Sequence, residues 1–269
     1  MFSTDFEYDG KRLSDFGLMI LSFNGVNNDD TASSGADITF GQVRTAGGDN
    51  YNLYSSTYDS AYSITFQIGK NPYNISCQED LHFSPIEASE IQAWLCQDEY
   101  CKFRIDQTGY ENIYWNATFS SKQILINGRI VGLELTLFTD APYAYMDEVK
   151  IVKEVKKDKP FVVYGLSDEI GNIRPYLKVK LKESGEKFIL SNSLDSLTTE
   201  VKYVSEGEVI TFYGRSQNIT SSLEHEIADD FNYHYPIIGN TKNTRLNEYT
   251  SNLDCEITIK YSPIITVGL

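Results

Sequence analysis

The sequence has little of what membrane insertion or secretion requires. No apolar run approaches the roughly 18 residues of a membrane-spanning helix. The N-terminal segment MFSTDFEYDGKRLSDFG has no basic region followed by an apolar stretch, as a signal peptide would have. We therefore expect a protein that is made and assembled in the cytoplasm without membrane insertion.

Cysteine and histidine are scarce, with four and three residues respectively in a chain of 269. Cys96 and Cys101 form one close pair, but no second pair completes a structural zinc site. The acidic stretch at residues 224–230 surrounds His225 and is typical of a solvated turn, and Asp29 and Asp30 lack the EF-hand pattern. We expect no metal site, and we expect free thiols at Cys77, Cys96, Cys101 and Cys255.

Recognisable catalytic motifs are also missing. None of His82, His225 and His234 has HExxH spacing or stands in a motif that places a nucleophile beside a base. No glycine-rich phosphate loop is present. The 38 acidic residues supply candidate glycosidase carboxylates without singling out any pair. The sequence predicts no catalytic residue, no cofactor-binding residue and no enzyme.

Basic residues are outnumbered, 23 to 38, which gives a net charge of −15. The imbalance is concentrated in residues 1–145, which carry 19 acids and 8 bases. An acidic surface favours solubility and repels phosphate, so nucleic-acid binding in a basic groove is disfavoured.

Aromatic residues are abundant, with 19 Tyr and 14 Phe, although there are only two Trp. Trp94 and Trp115 are both predicted to pack in a core rather than to bind sugar. The second half has no Trp, so sugar stacking there would depend on tyrosines, namely Tyr203, Tyr213, Tyr233 and Tyr235.

Most periodic segments alternate with period two, which predicts antiparallel strands with one buried face. The predicted buried positions are Val131, Leu133, Leu135, Leu137, Leu177, Val179, Leu181, Cys255, Ile257, Ile259 and Tyr261. One stretch, SPIEASEIQAWLC, predicts a helix. Ser84 and Glu87 match a capping box, and Pro85 stands at the first helical position. Its predicted buried stripe is Ala88, Ile91, Trp94 and Leu95.

The chain is predicted to divide where LTLFTDAPYAY ends a regular strand at Pro142, which has no N–H to donate to a neighbouring strand. We predict a β-rich domain with one α-helix at residues 1–145, in which residues 24–60 form long loops around short strands. A charged, lysine-rich linker follows at 146–159. Short strands at roughly ten-residue spacing then predict a β-sandwich at 160–269.

Several of these segments together resemble the distal tail (Dit) proteins of long-tailed phages and prophages of Gram-positive bacteria, a siphovirus tail component. The segments are FEYDGKRLSDFGLMILSF, EIQAWL, YENIYWNATFS and GRIVGLELTLFTDAPYAY in the first half. In the second half they are SDEIGNIRPYLKVKL, GEVITFYGRSQNITSS, DDFNYHYPII and ITIKYSPI.

The resemblance implies a structural protein of the virion tail tip that forms a homo-hexameric ring. Such a ring meets the tail tube protein on one side and the tail-associated fibre or lysin protein on the other, and DNA passes through it without specific binding. The second domain, often galectin-like, can attach receptor-binding proteins. The alternatives are a carbohydrate-binding or receptor-binding module of a phage adhesion device, another tail protein such as a tube subunit, and an enzyme.

Overall fold

The structure is a computed structural model that describes residues 3–23, 35–44, 50–75, 77–224 and 226–268. The chain divides into two units, one of Met1–Tyr145 with Ile265–Leu269 and one of Met146–Ile264. In the described residues, no helix is long and apolar enough to cross a membrane.

The described residues of the first unit form ten strands and one longer helix. They are β1 (Phe6–Tyr8), β2 (Lys11–Arg12), β3 (Leu18–Leu21), β4 (Ile38–Arg44), β5 (Tyr51–Tyr58), β6 (Ser63–Lys70), α1 (Pro85–Leu95), β7 (Cys101–Ile105), β8 (Ile113–Ile126), β9 (Arg129–Thr139) and β10 (Ala144–Met146). Short 3-10 turns lie at Leu13–Phe16, Pro72–Asn74 and Gln78–Leu81.

An antiparallel sheet in the order β2-β1-β7-β8-β9-β6-β3 forms the frame of this unit. Its tight hairpins use residues that tolerate positive φ: Asp9 and Gly10 join β1 to β2, and Asn127 and Gly128 join β8 to β9. Such pairs match the twist of the flanking strands. The predicted alternation in β9 is confirmed, because Leu133, Leu135 and Leu137 are buried while Val131 is half-buried.

Helix α1 begins at the predicted capping box. The Ser84 hydroxyl accepts a hydrogen bond from the Glu87 N–H at 3.2 Å, and the Glu87 carboxylate accepts one from the Ser84 N–H at 2.7 Å. The predicted stripe of Ala88, Ile91, Trp94 and Leu95 is buried. The capping box fixes where the helix starts, and the stripe fixes the face that packs on the sheet.

Aromatic rings fill the core between α1 and the sheet. The Phe6 ring lies within about 6 Å of the rings of Trp94, Phe103 and Phe119. The indole N–H of Trp94 donates to the Tyr8 carbonyl at 3.2 Å. Trp115 is fully buried, so the predicted core role of both tryptophans is confirmed.

The second unit is a β-sandwich. Its elements are β11 (Val149–Val155), β12 (Phe161–Tyr164), β13 (Gly171–Ile173), β14 (Tyr176–Leu181), β15 (Gly185–Asn192), β16 (Thr199–Val204), β17 (Val209–Tyr213), β18 (Asn218–Ser221), the single helical turn α2 (Ile227–Asp230), β19 (Ile238–Asn240), β20 (Leu246–Ser251) and β21 (Cys255–Tyr261). A last short strand, β22 (Ile264–Ile265), lies at the boundary of the two units and belongs to neither sandwich sheet.

Two sheets, in the orders β11-β21-β14-β17-β18 and β12-β20-β15-β16, enclose one apolar core. The predicted buried positions of β14 and β21 are confirmed, and Lys178 and Lys180 are exposed between them. The described part of the chain is therefore mainly β, with one N-terminal α-helix of several turns and a C-terminal sandwich, as the sequence predicts.

Seven of the fourteen residues of the predicted linker at 146–159 form a strand instead. Val149–Val155 form an edge strand that pairs with β21 along seven residues. Val155 is buried, and Val149 and Ile151 pack on the sandwich core. Lys150 and Lys153, two of the lysines that suggested a connector, occupy exposed positions of this strand. Charged side chains on an edge strand discourage further pairing.

Candidate assembly surfaces

The histidines and acidic residues that were candidates for catalysis or metal binding do not lie together in one site. In the described part of the chain, no group of three or more His, Cys, Asp or Glu side chains is placed to hold a metal ion. His234 Nε2 lies 2.7 Å from Asp195 Oδ2, whereas His82 lies in the first unit. Asp29, Asp30 and His225 fall outside the described residues.

The four cysteines, all of which are described, are free thiols. Cys77 is exposed and Cys255 is buried in the sandwich core. Burial raises the pKa of the Cys255 thiol to about 11, because a thiolate is poorly solvated there. This thiol is therefore held in its protonated form, as a core residue.

The hairpin formed by β4 and β5 is an exposed apolar surface of the first unit. These strands form a two-stranded sheet of their own, about 24 Å long at roughly 3.4 Å per residue. Its large apolar side chains are between 44% and 71% exposed, and they are Ile38, Phe40, Val43, Tyr51, Leu53 and Tyr54. A concentration of exposed large apolar side chains is typical of an interaction site.

Both faces of the hairpin are apolar, since successive side chains in a strand point to opposite faces. Leu53 and Tyr54 are neighbours in β5, so they lie on different faces. The register shifts between Gly41 and Gln42, and the Tyr54 ring lies over Gly41, where an added Cβ would be 2.7 Å from Tyr54 Cζ. An isolated two-stranded hairpin is marginally stable in water, so this one is suited to packing against a partner.

A groove of about 580 Å³ lies elsewhere in the first unit, at one end of the main sheet. We call it the sheet-end groove, and its lining residues are Leu21, Phe23, Lys70, Pro72, Leu81, His82, Ile126, Arg129 and Val131. They come from the ends of β3, β6, β8 and β9 and from the 3-10 turns that follow β6. Antiparallel pairing brings these distant segments to one edge.

Two glycines create the space for one wall of the groove. Gly69 and Gly132 lie opposite each other on β6 and β9, and the Phe23 ring covers both. The Phe23 N–H donates to the Gln67 side-chain oxygen at 2.9 Å, which holds the residue in place. Phe23 is 36% exposed, so part of the ring faces the groove.

The groove lining contains two basic side chains, Lys70 and Arg129, and no Asp or Glu. Lys70 Nζ lies 2.9 Å from Glu87 Oε1. The Ser84 N–H and then the Lys70 ammonium hold the pKa of the Glu87 carboxyl below its ordinary value. The Nδ1 atom of His82 is buried without a hydrogen-bond partner among the described residues.

The sequence predicts long loops around short strands over residues 24–60, but it does not predict that two of these strands pair as a hairpin. Ile38–Arg44 and Tyr51–Tyr58 are strands of seven and eight residues, while much of the remaining segment lies outside the described residues. A signal was present, because apolar residues flank the turn-favouring sequence TAGGDN. The two strands carry apolar residues on both faces, so they lack the usual alternation of apolar and polar residues by which a strand is predicted from sequence.

Comparison with known proteins covers nearly the whole chain. A family model described as "phage tail protein N-terminal domain" matches residues 1–141, and one described as "phage tail C-terminal domain" matches residues 143–261. No curated protein matches the sequence.

Among solved structures, the crystal structure of the SPP1 Dit (gp 19.1) protein is similar in fold. That protein is described as "a paradigm of hub adsorption apparatus in Gram-positive infecting phages". The match has a TM-score of 0.67 at 11% sequence identity, over 96% of this chain and 98% of that chain. At this identity the similarity establishes a shared two-part fold.

Proposed function

Because the chain belongs to the phage tail protein family described by these two domain models and has the fold of a Dit protein, we propose that it is the hub of a phage tail tip. Six copies form a ring that joins the tail tube protein to the tail-associated fibre or lysin protein. The second unit offers a site for receptor-binding proteins. The protein is assembled in the host cytoplasm and remains in the virion.

The observation that carries this proposal is the β4–β5 hairpin. Its six large apolar side chains stay in water in the single chain, and a stable assembly removes them from water. A cyclic ring needs heterologous contacts, in which each copy presents two different surfaces. The first unit has two such surfaces, the hairpin and the sheet-end groove.

The charge of the first unit suits a ring through which DNA passes. Residues 1–145 carry 19 acidic and 8 basic residues. A wall with this imbalance repels phosphate and does not retain the genome. We propose a structural role without catalysis, since the sequence shows no nucleophile–base pair.

A second function, glycan binding by the sandwich, is favoured by two tyrosines. Tyr203 and Tyr233 are 71% and 66% exposed, and both have positive φ, at 55° and 58°. Bulky residues adopt this conformation at some cost, and such strain is concentrated at functional sites. A glycan array probed with the wild type and with Tyr203→Ala/Tyr233→Ala tests this function. If the sandwich binds glycans through these tyrosines, the wild type binds and the double variant does not.

The hub proposal is tested by light scattering coupled to size exclusion on the full chain. The wild type is expected to form a hexamer. The hairpin variant, Phe40→Asp/Leu53→Asp, is expected to be a folded monomer, because carboxylates replace apolar contacts. Ile86→Asp is the matched control: Ile86 is 71% exposed in the first turn of α1, outside both surfaces, and an acid is favourable there.

The control variant is expected to assemble like the wild type. A hairpin variant that assembles normally would show that the hairpin is not the ring contact. A wild-type chain that stays monomeric at every concentration would contradict the hub proposal itself.

A further inference from the structure

We propose that the second unit binds a saccharide in a polar pocket between the segment that follows β12 and the turn that joins β19 to β20. We call it the sandwich pocket. Its volume is about 430 Å³, and its lining comes from residues 164–170 and 240–245. The proposal goes beyond the hub role, which does not need this pocket. It shares the ligand class of the second candidate function but places the ligand away from Tyr203 and Tyr233.

The lining of the sandwich pocket suits a ligand that carries many hydroxyl groups. Seven of its nine lining residues are polar, whereas pockets of roughly 300–1,000 Å³ for drug-like ligands are mostly apolar. Asp168 supplies acceptors only, Lys242 and Arg245 supply donors only, and Asn243 supplies both. A sugar hydroxyl both donates and accepts, so this mixture can satisfy several neighbouring hydroxyls of one ring. The acid in the lining disfavours a phosphate ligand.

An aromatic side chain borders the polar lining. Tyr164, the last residue of β12, is 57% exposed, and its neighbour Val163 is buried, so the tyrosine lies on the outer face of the sheet. Val162, on the same face, and Leu246, the register partner of Tyr164 in β20, are also exposed. A pyranose ring has a face of C–H groups that can pack on this apolar strip, while its hydroxyls reach the polar lining.

Buried asparagines hold the pocket walls in place. The Asn240 side-chain amide donates to the carbonyls of Ser167, at 3.1 Å, and Glu169, which joins the two wall segments. The Asn247 side-chain amide donates to the Arg245 carbonyl at 3.1 Å. Both asparagines are buried. Walls that are fixed before the ligand arrives lose less conformational entropy when it binds.

The sandwich pocket lies apart from the two tyrosines of the second candidate function. The sheet order β12-β20-β15-β16 places Tyr164 and Tyr203 on opposite edge strands, roughly 14 Å apart across three strand spacings of about 4.8 Å. The bridge between Val201 and Phe231 brings the segment that contains Tyr233 to β16. Substitutions at the two places therefore test two different surfaces.

A glycan array probed with the full chain tests the inference, and each glycan that binds is then titrated by isothermal calorimetry. The wild type is expected to bind. Tyr164→Ala and Asp168→Ala are each expected to weaken binding at least about tenfold, because they remove the aromatic surface and a charged acceptor. Tyr203→Ala/Tyr233→Ala is the matched control, since its tyrosines are similarly exposed, and it is expected to bind like the wild type.

Thermal melting checks that the variants keep their fold, and Lys242→Ala, at an exposed residue of the turn, replaces a pocket variant that loses it. A wild type that binds no glycan, or binding that every pocket variant retains, would overturn the inference. Binding lost only in Tyr203→Ala/Tyr233→Ala would overturn it as well, in favour of the other edge. Light scattering on the same samples keeps the two proposals separate: a hexamer that binds no glycan contradicts only this inference, and a monomer that binds glycan contradicts only the hub proposal.

Discussion

The Phe23 ring lies against Gly132 so closely that a Cβ added to this glycine would come within 2.4 Å of Phe23 Cε2. The same Cβ would be 2.8 Å from the backbone carbonyl oxygen of Ile68. Phe23 is a wall of the sheet-end groove, so the missing side chain at residue 132 shapes this groove.

Gly132→Ala is therefore expected to destabilise the first unit by about 1–3 kcal/mol, since the ring and the strand backbone must both shift. It is also expected to weaken assembly. Urea unfolding and light scattering measure the two effects. Gly165→Ala is the control, because its added Cβ would find its nearest neighbours at 3.5 Å. Equal stability of the two variants would contradict the close contact.

Trp94→Ala is expected to lower the free energy of unfolding of the first unit by about 3–5 kcal/mol, as for a large buried aromatic side chain. The change removes contacts with the rings of Phe6 and Tyr8 and the hydrogen bond to the Tyr8 carbonyl. Phe16→Ala, at a 41% exposed residue stacked on Trp94, is expected to cost less. Thermal melting that ranks the two variants the other way would show that the core is misassigned.

Glu87 is expected to make stability depend on pH in the acid range. The pKa of its carboxyl is lowered in the folded state from an ordinary value of 4.5, by the Ser84 N–H and Lys70. A carboxyl with a depressed folded pKa contributes stability that is fully present above its unfolded pKa and is lost as the pH falls through its folded pKa. Urea unfolding from pH 3 to pH 7 measures this contribution.

The difference in stability between the wild type and Glu87→Gln should be constant above about pH 5 and should shrink below about pH 4.5. Glutamine retains the capping geometry, so the remaining difference reports the charge. Glu90→Gln, at an exposed position of the same helix, is measured alongside as the matched substitution. A Glu87→Gln difference that grows as the pH falls would contradict the assignment.

Residues 146–264 expressed alone are expected to fold as a monomeric sandwich. Their core is complete within this range, and the hairpin and groove are both absent from it. A shorter fragment that starts at residue 156 lacks β11, which exposes the edge of β21, and it is expected to lose cooperative melting. Light scattering and circular dichroism test both statements. If residues 146–264 alone form a hexamer, the ring contact lies in the second unit, which contradicts the proposal.

The sequence predicted those parts of the fold that depend on residues close together in the chain. The Ser84–Glu87 capping box fixed the start of α1, and period-two alternation identified the buried faces of β9, β14 and β21. The strand β11 was mistaken for a linker because its lysines dominate its composition. Its role depends on pairing with β21, about a hundred residues later, which composition does not reveal.

The candidate surfaces were harder to predict for the same physical reason. The groove combines Leu21, Lys70 and Arg129, which strand pairing alone brings together. The hairpin has apolar residues on both faces, so it lacks the alternation of a half-buried strand. A surface that packs against another molecule need not show the apolar–polar alternation of a strand that packs on its own domain, because the residues that cover it belong to that other molecule.

Negative-stain electron microscopy of the purified full chain tests the central claim most directly. The hub proposal predicts rings with six-fold class averages and a particle mass six times the 30.5 kDa of the chain. The hairpin variant, Phe40→Asp/Leu53→Asp, should show only single-chain particles under the same conditions. Wild-type particles that remain single chains at every concentration, or rings that persist in the hairpin variant, would contradict this account.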